Sequence, residues 1–450
     1  HTHQPLCGGG AMMEHILELA LRQAQQAEVY EALSESTMAH FEANRLKQVE
    51  SRQSSSVALR LVCDGKIGFA SAGGAVDAAE LVRMAVETSS FGATARLAFP
   101  GAQAFSDVLV YDDRVAAIET DTLIGIGTRV IERVTGRNGD LQCEGMVSVS
   151  AGRVRIANSA GLDTSYRKTN LGLFMEGIRV NGTDMLFVGD SMSSTNLFTD
   201  ADVVATTMLM QLERASRSAS IDTGTYPVLF TPHGVGAALL MPLAVAFNGK
   251  NVVERASRLA GRQGERLFDA CLNLRDDATI DGRTTSSPCD AEGTPSRSTC
   301  LIDGGIVCGF LYDLQTAADA GAESTGNGHR VDARSQIRPG MSAFVLEPGQ
   351  ATFDEMLSSI DEGLVVEELI GAGQGNLLAG DFGGNVLLGY KVEKGEIVGR
   401  VKDTMIAGNV MEALARSVVV GADSRWVGGG LRTPSILCES VSVSSGGGEA

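Results

Sequence analysis

Asp303-Gly304-Gly305 sits between two short apolar runs, Ser298–Ile302 and Ile306–Leu311, and this arrangement constrains the fold more than any other stretch of the chain. Residues that accept positive φ at little cost make a tight turn, so the segment reads as a β-hairpin. The signal recurs: Asp64-Gly65-Lys66 divides Val57–Cys63 from Ile67–Ser71, and Glu393-Lys394-Gly395 divides Val386–Val392 from Glu396–Val401. A chain punctuated in this way builds antiparallel sheet. Its 54 glycines then serve turns rather than disorder, because apolar runs keep returning between them.

Helical periodicity appears at fewer places. Met13, Ile16, Leu17, Ala20, Leu21 and Ala24 share one face of an opening helix. Ala78, Leu81, Val82 and Ala85 give a second behind Asp77, a side chain suited to capping free amides, and Ile124–Val134 a third behind Asp121. Glu28–Ser36, Arg45–Gln53 and Val57–Cys63 read as separate strands, and Gln142–Ser191 as extended chain turning at Ala151-Gly152. Asp200–Ser218 reads as helix, and Ile221–Pro227 is the expected domain joint, where Gly and Pro end regular structure. Beyond it, strands are expected at Tyr226–Phe230, Met341–Leu346, Leu364–Ile370 and Ser435–Val443. Helices are expected at Val235–Phe247, Phe353–Ile360 and Val410–Arg416. The prediction is an α+β protein of two domains. Residues 12–220 place helices on a mixed or antiparallel sheet, residues 221–450 form a β-rich domain with few helices, and residues 1–11 are set apart as a tag or disordered extension.

The bulk composition narrows the function. With 55 acidic against 37 basic side chains and a net charge of −18, the chain lacks the cationic surface that phosphate-backbone binding requires, so no direct nucleic-acid partner is expected. No apolar run reaches membrane-spanning length, and no membrane partner is expected. Eight cysteines without a Cys-x-x-Cys pair fit reduced thiols in a cytoplasmic protein; Cys289, Cys300 and Cys308, the closest trio, read as packing residues.

Several local patterns resemble sites and resolve into structure. The acids Asp276, Asp277, Asp281, Asp290 and Glu292 do not follow calcium-loop spacing and read as turn formers. Ser165 and Lys168 have the spacing of an acyl-transfer motif, but an alternating strand points them to opposite faces. Gly371–Asn376 lacks the third glycine of a dinucleotide loop and reads as a bend.

Other patterns carry a resemblance that extends over nearly the whole chain after Met12. They are Arg60 followed by Asp64-Gly65-Lys66-x-Gly68, then Ser165-Tyr166-x-x-Thr169, Asp290-x-Glu292-Gly293-x-Pro295 and Ser324-Thr325-Gly326-Asn327. Gly380-Asp381-Phe382, Gly395-Glu396-Ile397 and Ala407-Gly408-Asn409 complete the set. Together they resemble the TldD/PmbA family, cytosolic metallopeptidase-related proteins also described as modulators of DNA gyrase. The resemblance implies a His-Glu-x-x-x-His helix directly after the strand that opens the second domain, with both imidazoles on zinc and the glutamate as general base. Here that position reads His233-Gly234, with Ala238 in place of the second histidine, and Cys438 matches no ligand segment. The chain therefore resembles the PmbA branch, also called TldE. That resemblance implies no metal or cofactor on this chain, zinc on a TldD-like partner, and either a heterodimer with that paralogue or a homodimer. It implies an unfolded peptide as substrate and a groove that draws on Asp290, Glu292, Arg297 and Arg330; the plain alternative for these four is salt bridging between loops. The rival function is a non-proteolytic regulatory protein acting on gyrase or on a toxin–antitoxin component.

Overall fold

The computed structural model describes residues 9–198 and 200–446. Most of the extension read at residues 1–11, Cys7 included, lies outside the described residues, and from Gly9 the chain is helical.

Residues 26–194 build one six-stranded sheet. β1 (Gln26–Glu42) and β2 (Arg45–Cys63) pair antiparallel around a turn in which Ala43 and Asn44 take positive φ. β3 (Lys66–Gly73) covers only the Ser56–Cys63 part of β2. β4 (Gln142–Asn158), β5 (Asp163–Asn181) and β6 (Asp184–Ser194) extend the other side, giving the order β3-β2-β1-β4-β5-β6 with every pairing antiparallel. Two expectations fail here. Arg45–Gln53 and Val57–Cys63 are one strand, because Ser54–Ser56 continue the ladder opposite Ala32–Ser34. Ala151-Gly152 is not a turn either, since β4 runs straight through it. A β-carbon at Gly152 would stand 2.5 Å from the Leu33 carbonyl oxygen, so the glycine answers to the close approach of β1.

Helices cover parts of this sheet. α1 (Gly9–Leu21) and α2 (Ala78–Ser89) bury Met13, Ile16, Leu81 and Val82 against Val29, Leu59 and Leu61. Asp77 caps α2 by accepting from the amides of Ala79 and Glu80. After the short α3 (Asp113–Ala116), α4 (Thr120–Thr135) starts one residue before the expected Asp121, with Glu119 as a cap that makes no side-chain bond. α4 and α5 (Asp202–Arg214) pack Leu123, Val130, Val134, Val204 and Met208 against Val147, Leu171 and Leu173. The same core takes in Leu388, Tyr390 and Leu437 from the second half, so the two halves share apolar packing.

The second half is organised around a mixed eight-stranded sheet. β7 (Ser218–Ala219) pairs parallel with Glu396–Val401, so the chain enters this sheet directly after α5. β8 (Gly224–Phe230) pairs with Glu362–Ile370 and Ile436–Ser445, and Thr404–Asn409 and Asp381–Glu393 follow in order. An additional pairing of Glu362–Ile370 with Asp381–Glu393 closes these five strands on themselves. The Gly304-Gly305 hairpin forms as expected, although its return strand spans only Ile306–Val307. The helix expected over Val235–Phe247 divides into α6 (Pro232–Ala238) and α7 (Leu240–Phe247), because Pro242 has no amide hydrogen to offer the Ala238 carbonyl. The helix expected over Val410–Arg416 ends at Ala413. Of the cysteine trio only Cys289 lies in the core, against Ile156 and Leu162. Cys308 is half-buried, and Cys300 faces solvent because it falls on the outward side of Ser298–Asp303, so the packing role expected for it fails.

Candidate functional site

The four groove candidates do not share one surface. β1 and β2 put Glu28 directly opposite Arg60, and the loop that carries Asp290 and Glu292 closes over them from the second half. Arg60 Nη1 donates to Glu292 Oε1 at 2.6 Å and Nη2 to Glu28 Oε2 at 3.1 Å. The other Glu292 oxygen accepts the Leu314 amide at 2.7 Å, at the start of a short helix, and the side chain is 0 % exposed. Asp290 accepts from the amides of Glu292, Thr294 and Gly328. The Arg330 side chain is buried over the faces of Tyr30 and Phe69, with Nη2 3.8 Å from Glu28 Oε1. Arg297 stands apart, exposed, and donates to the Ser324 carbonyl.

Electrostatics follow from this enclosure. Burial would lower the Arg60 pKa, but Glu28 and Glu292 outweigh it and hold the guanidinium charged. Burial raises both carboxyl pKa values, Asp290 and Glu292, with Arg60 pulling Glu292 back down. The cluster joins the two halves of the molecule, and because every oxygen of Asp290 and Glu292 is taken by Arg60 or by an amide, these two carboxylates have no open face toward a peptide. A neighbouring polar cluster continues the seam. Asp276 accepts from Asn327 and from the Ser342 amide, and Ser342 Oγ lies 3.1 Å from His329 Nε2. Burial pushes Asp276 up to about 6 and His329 down to about 4, and brings Lys168, which donates to the Ser286 carbonyl, down to about 8. The remaining acids of the suspected metal cluster are each tied to a loop: Asp277 to Thr279, Asp281 to the Leu109 amide.

The residues around His233 make a different kind of place. Thr231 caps α6, Pro232 opens it, and His233 projects from its first turn into a cavity of about 340 Å³ between the halves. Glu176, Phe187, Asp190 and Phe174 line it from β5 and β6, and Glu367, Glu368 and Leu387 from the second sheet. His233 Nε2 lies 3.1 Å from Asp190 Oδ1, within ion-pair reach but without hydrogen-bond alignment. Arg425 donates to the same carboxylate at 2.7 Å. Burial would raise the Asp190 pKa, yet His233 and Arg425 outweigh it and hold the group below its ordinary range. Glu367 is paired with Arg214 at 3.1 Å and accepts from Thr231 at 3.2 Å. Glu176 and Glu368 form no ion pair among the described residues. Burial lifts both carboxyl pKa values; at Glu368 the His233 imidazole and the Leu369 amide pull back down and Glu367 and Glu176 push up, with burial prevailing.

Two details fix what this place can do. The ladder between Glu362–Ile370 and Asp381–Glu393 is irregular on both sides of Glu368, so consecutive glutamates, which a regular pleat would turn to opposite faces, both reach the cavity. At Gly234 a β-carbon would fall on the Val366 carbonyl oxygen, so the position that would hold a general base has no room for any side chain. Ala238 is buried in the core of the second half. Cys438 is paired opposite Val228, with its thiol pushed up to about 12 by burial. A hydrolytic zinc site takes about three protein ligands, and among the described residues no three His, Cys, Asp or Glu side chains are placed to hold a metal. The donor set does not fit zinc. It does fit recognition of positive charge.

Of the residues lining this cavity only His233 was marked by a sequence motif. Asp190, Arg425 and Glu176 come from distant segments. A signal existed for Glu367 and Glu368, two acids inside the otherwise apolar strand Leu364–Ile370.

Comparison with known proteins places this geometry. Residues 223–445 match the PmbA/TldA metallopeptidase C-terminal domain and residues 27–89 match PmbA/TldA metallopeptidase domain 1. The two segments together exceed half of the chain, and the chain belongs to the PmbA/TldD metallopeptidase family. A Methanothermobacter thermautotrophicus protein named as a metalloprotease is 26% identical over 397 residues, covering 85% of this chain and 84% of that one. TldE from Thermococcus kodakarensis superposes with a TM-score of 0.86 at 22% identity, over 96% of this chain and 100% of its own. A Thermotoga maritima protein described as a candidate modulator of DNA gyrase gives the same TM-score and identity, over 97% and 100%. No helix among the described residues is long and apolar enough to cross a membrane.

Proposed function

We propose that this chain is the metal-free subunit of a TldD/PmbA-type peptidase assembly acting on unfolded peptides. A metal-bearing relative supplies the zinc and the catalytic base; this chain supplies part of the peptide groove and a subunit surface. The observation that carries the reading is the closed position at Gly234, which denies a base to the helix that would need one. The shape of the first sheet supports a groove role. β3 covers β2 from Ser56 onward and the Gly74 amide takes the Ser55 carbonyl, so the Arg45–Ser54 edge has no neighbouring strand among the described residues and can accept an extended peptide.

Co-expression with a relative that carries His-Glu-x-x-x-His tests the proposal. The two chains are expected to elute together and to cleave an unfolded peptide, with cleavage lost on chelation of zinc. Separate elution with no gain in cleavage overturns the reading, as does cleavage by this chain alone after chelator treatment. Affinity capture that returns gyrase or a toxin–antitoxin component as the dominant partner favours a regulatory role instead.

A further inference from the structure

The cavity beside His233 holds more negative charge than its own cations answer. Asp190 is met by Arg425 and Glu367 by Arg214, while Glu176 and Glu368 form no ion pair among the described residues, and the basic group that acts on Glu368 is the His233 imidazole, already beside Asp190. The His233 Nε2 atom is engaged by Asp190 at 3.1 Å, so the imidazole does not answer Glu176. Two features show that the space is built for an occupant. The irregular ladder turns Glu368 into it at the expense of regular pairing, a distortion that re-aims a side chain. Phe174, 45 % exposed, and Phe187 stand in the wall, giving an aromatic surface next to the carboxylates. Carboxylates beside aromatic rings attract an organic cation, by ion pairing to its head and by ring contact with its stem.

We infer that this cavity is a binding subsite for a guanidinium or primary ammonium group, in particular a basic side chain of an extended peptide, with Glu176 and Glu368 as its counter-ions. This rests on the peptide-groove reading above and names the side-chain class the groove selects. A guanidinium fits within about 340 Å³ with its stem along Phe174 and Phe187. Its charge would relieve the two carboxyls that burial now holds above their ordinary pKa.

The test uses the full chain alone, without a relative and without a cleavage readout, so its outcome is separate from that of subunit assembly. Calorimetry with agmatine, and with an extended pentapeptide carrying central arginine or its neutral analogue citrulline, measures the preference. The arginine peptide is expected to bind on the order of tenfold more tightly than the citrulline peptide, and agmatine to compete with it. Glu176→Gln with Glu368→Gln is expected to erase the preference while circular dichroism stays unchanged, and the half-buried Glu176→Gln alone to reduce it. Equal binding of the two peptides, absence of binding, or a preference that survives both substitutions overturns the assignment. Displacement of agmatine by an equal concentration of Zn²⁺ overturns it in favour of a metal site.

Discussion

The seam around Arg60 and the cavity around His233 are built from the same residue types, buried carboxylates beside a basic group, and end in opposite conditions. In the seam the Asp290 carboxylate is met by three amides and Glu292 has both oxygens occupied, by Arg60 and by the Leu314 amide. In the cavity Glu176 has no such partner, and Glu368 has only the long contact of the Leu369 amide at 3.4 Å and an imidazole shared with Asp190. Burial alone therefore does not distinguish a structural cluster from a binding site; what distinguishes them is whether the local groups already balance the charge.

Removing a partner from the seam should have the largest effect. Glu292→Ala leaves Arg60 buried with only Glu28 and frees the Leu314 amide, and is expected to destabilise the fold by about 3–5 kcal/mol in denaturant unfolding. The second largest effect is on pH dependence. His329, held near 4, is neutral when folded, while the unfolded chain takes up its proton near the ordinary 6.5, so acidification from 6.5 to 4 costs stability. Asp276, held near 6 against an ordinary 3.8, binds its proton first in the folded state and gains stability as pH falls over an overlapping window. Each contribution is about 3 kcal/mol at full extent. His329→Gln should then tilt the profile toward greater stability in acid relative to wild type, and Asp276→Asn toward less, as read from unfolding midpoints at pH 4 and 7.

Gly234→Ala comes next, with a cost of about 1–3 kcal/mol as α6 is forced away from Val366. The smallest stability effect sharpens the contrast: Glu176→Gln removes a carboxylate that has no partner to lose, and its thermal unfolding should match wild type within about 0.5 kcal/mol. A loss comparable to that of Glu292→Ala would erase the distinction between the two regions.

The sequence made the hairpins legible because their turns need residues that tolerate positive φ, and Gly304-Gly305 and Lys394-Gly395 both take it. The α2 cap at Asp77 was legible for a similar local reason. Gly152 misled, since a glycine that admits a neighbouring strand looks, in one dimension, like a glycine that turns the chain. The closed site at Gly234 could be noticed only as a missing motif, because the obstructing carbonyl belongs to Val366, 132 positions later in the numbering. Arg60 and Glu292 are separated by 232 positions and Asp190 and Arg425 by 235, so neither pairing leaves a periodic trace. Local chemistry predicts local structure; sites assembled from four or five segments depend on the fold.

The tight seat of α6 on Val366 also bears on engineering. Grafting glutamate at 234 and histidine at 238 would not by itself build a hydrolytic centre, because the first of these side chains would collide with the Val366 carbonyl before any metal could be held. The helix would have to be lifted off its strand before the motif could be written onto it.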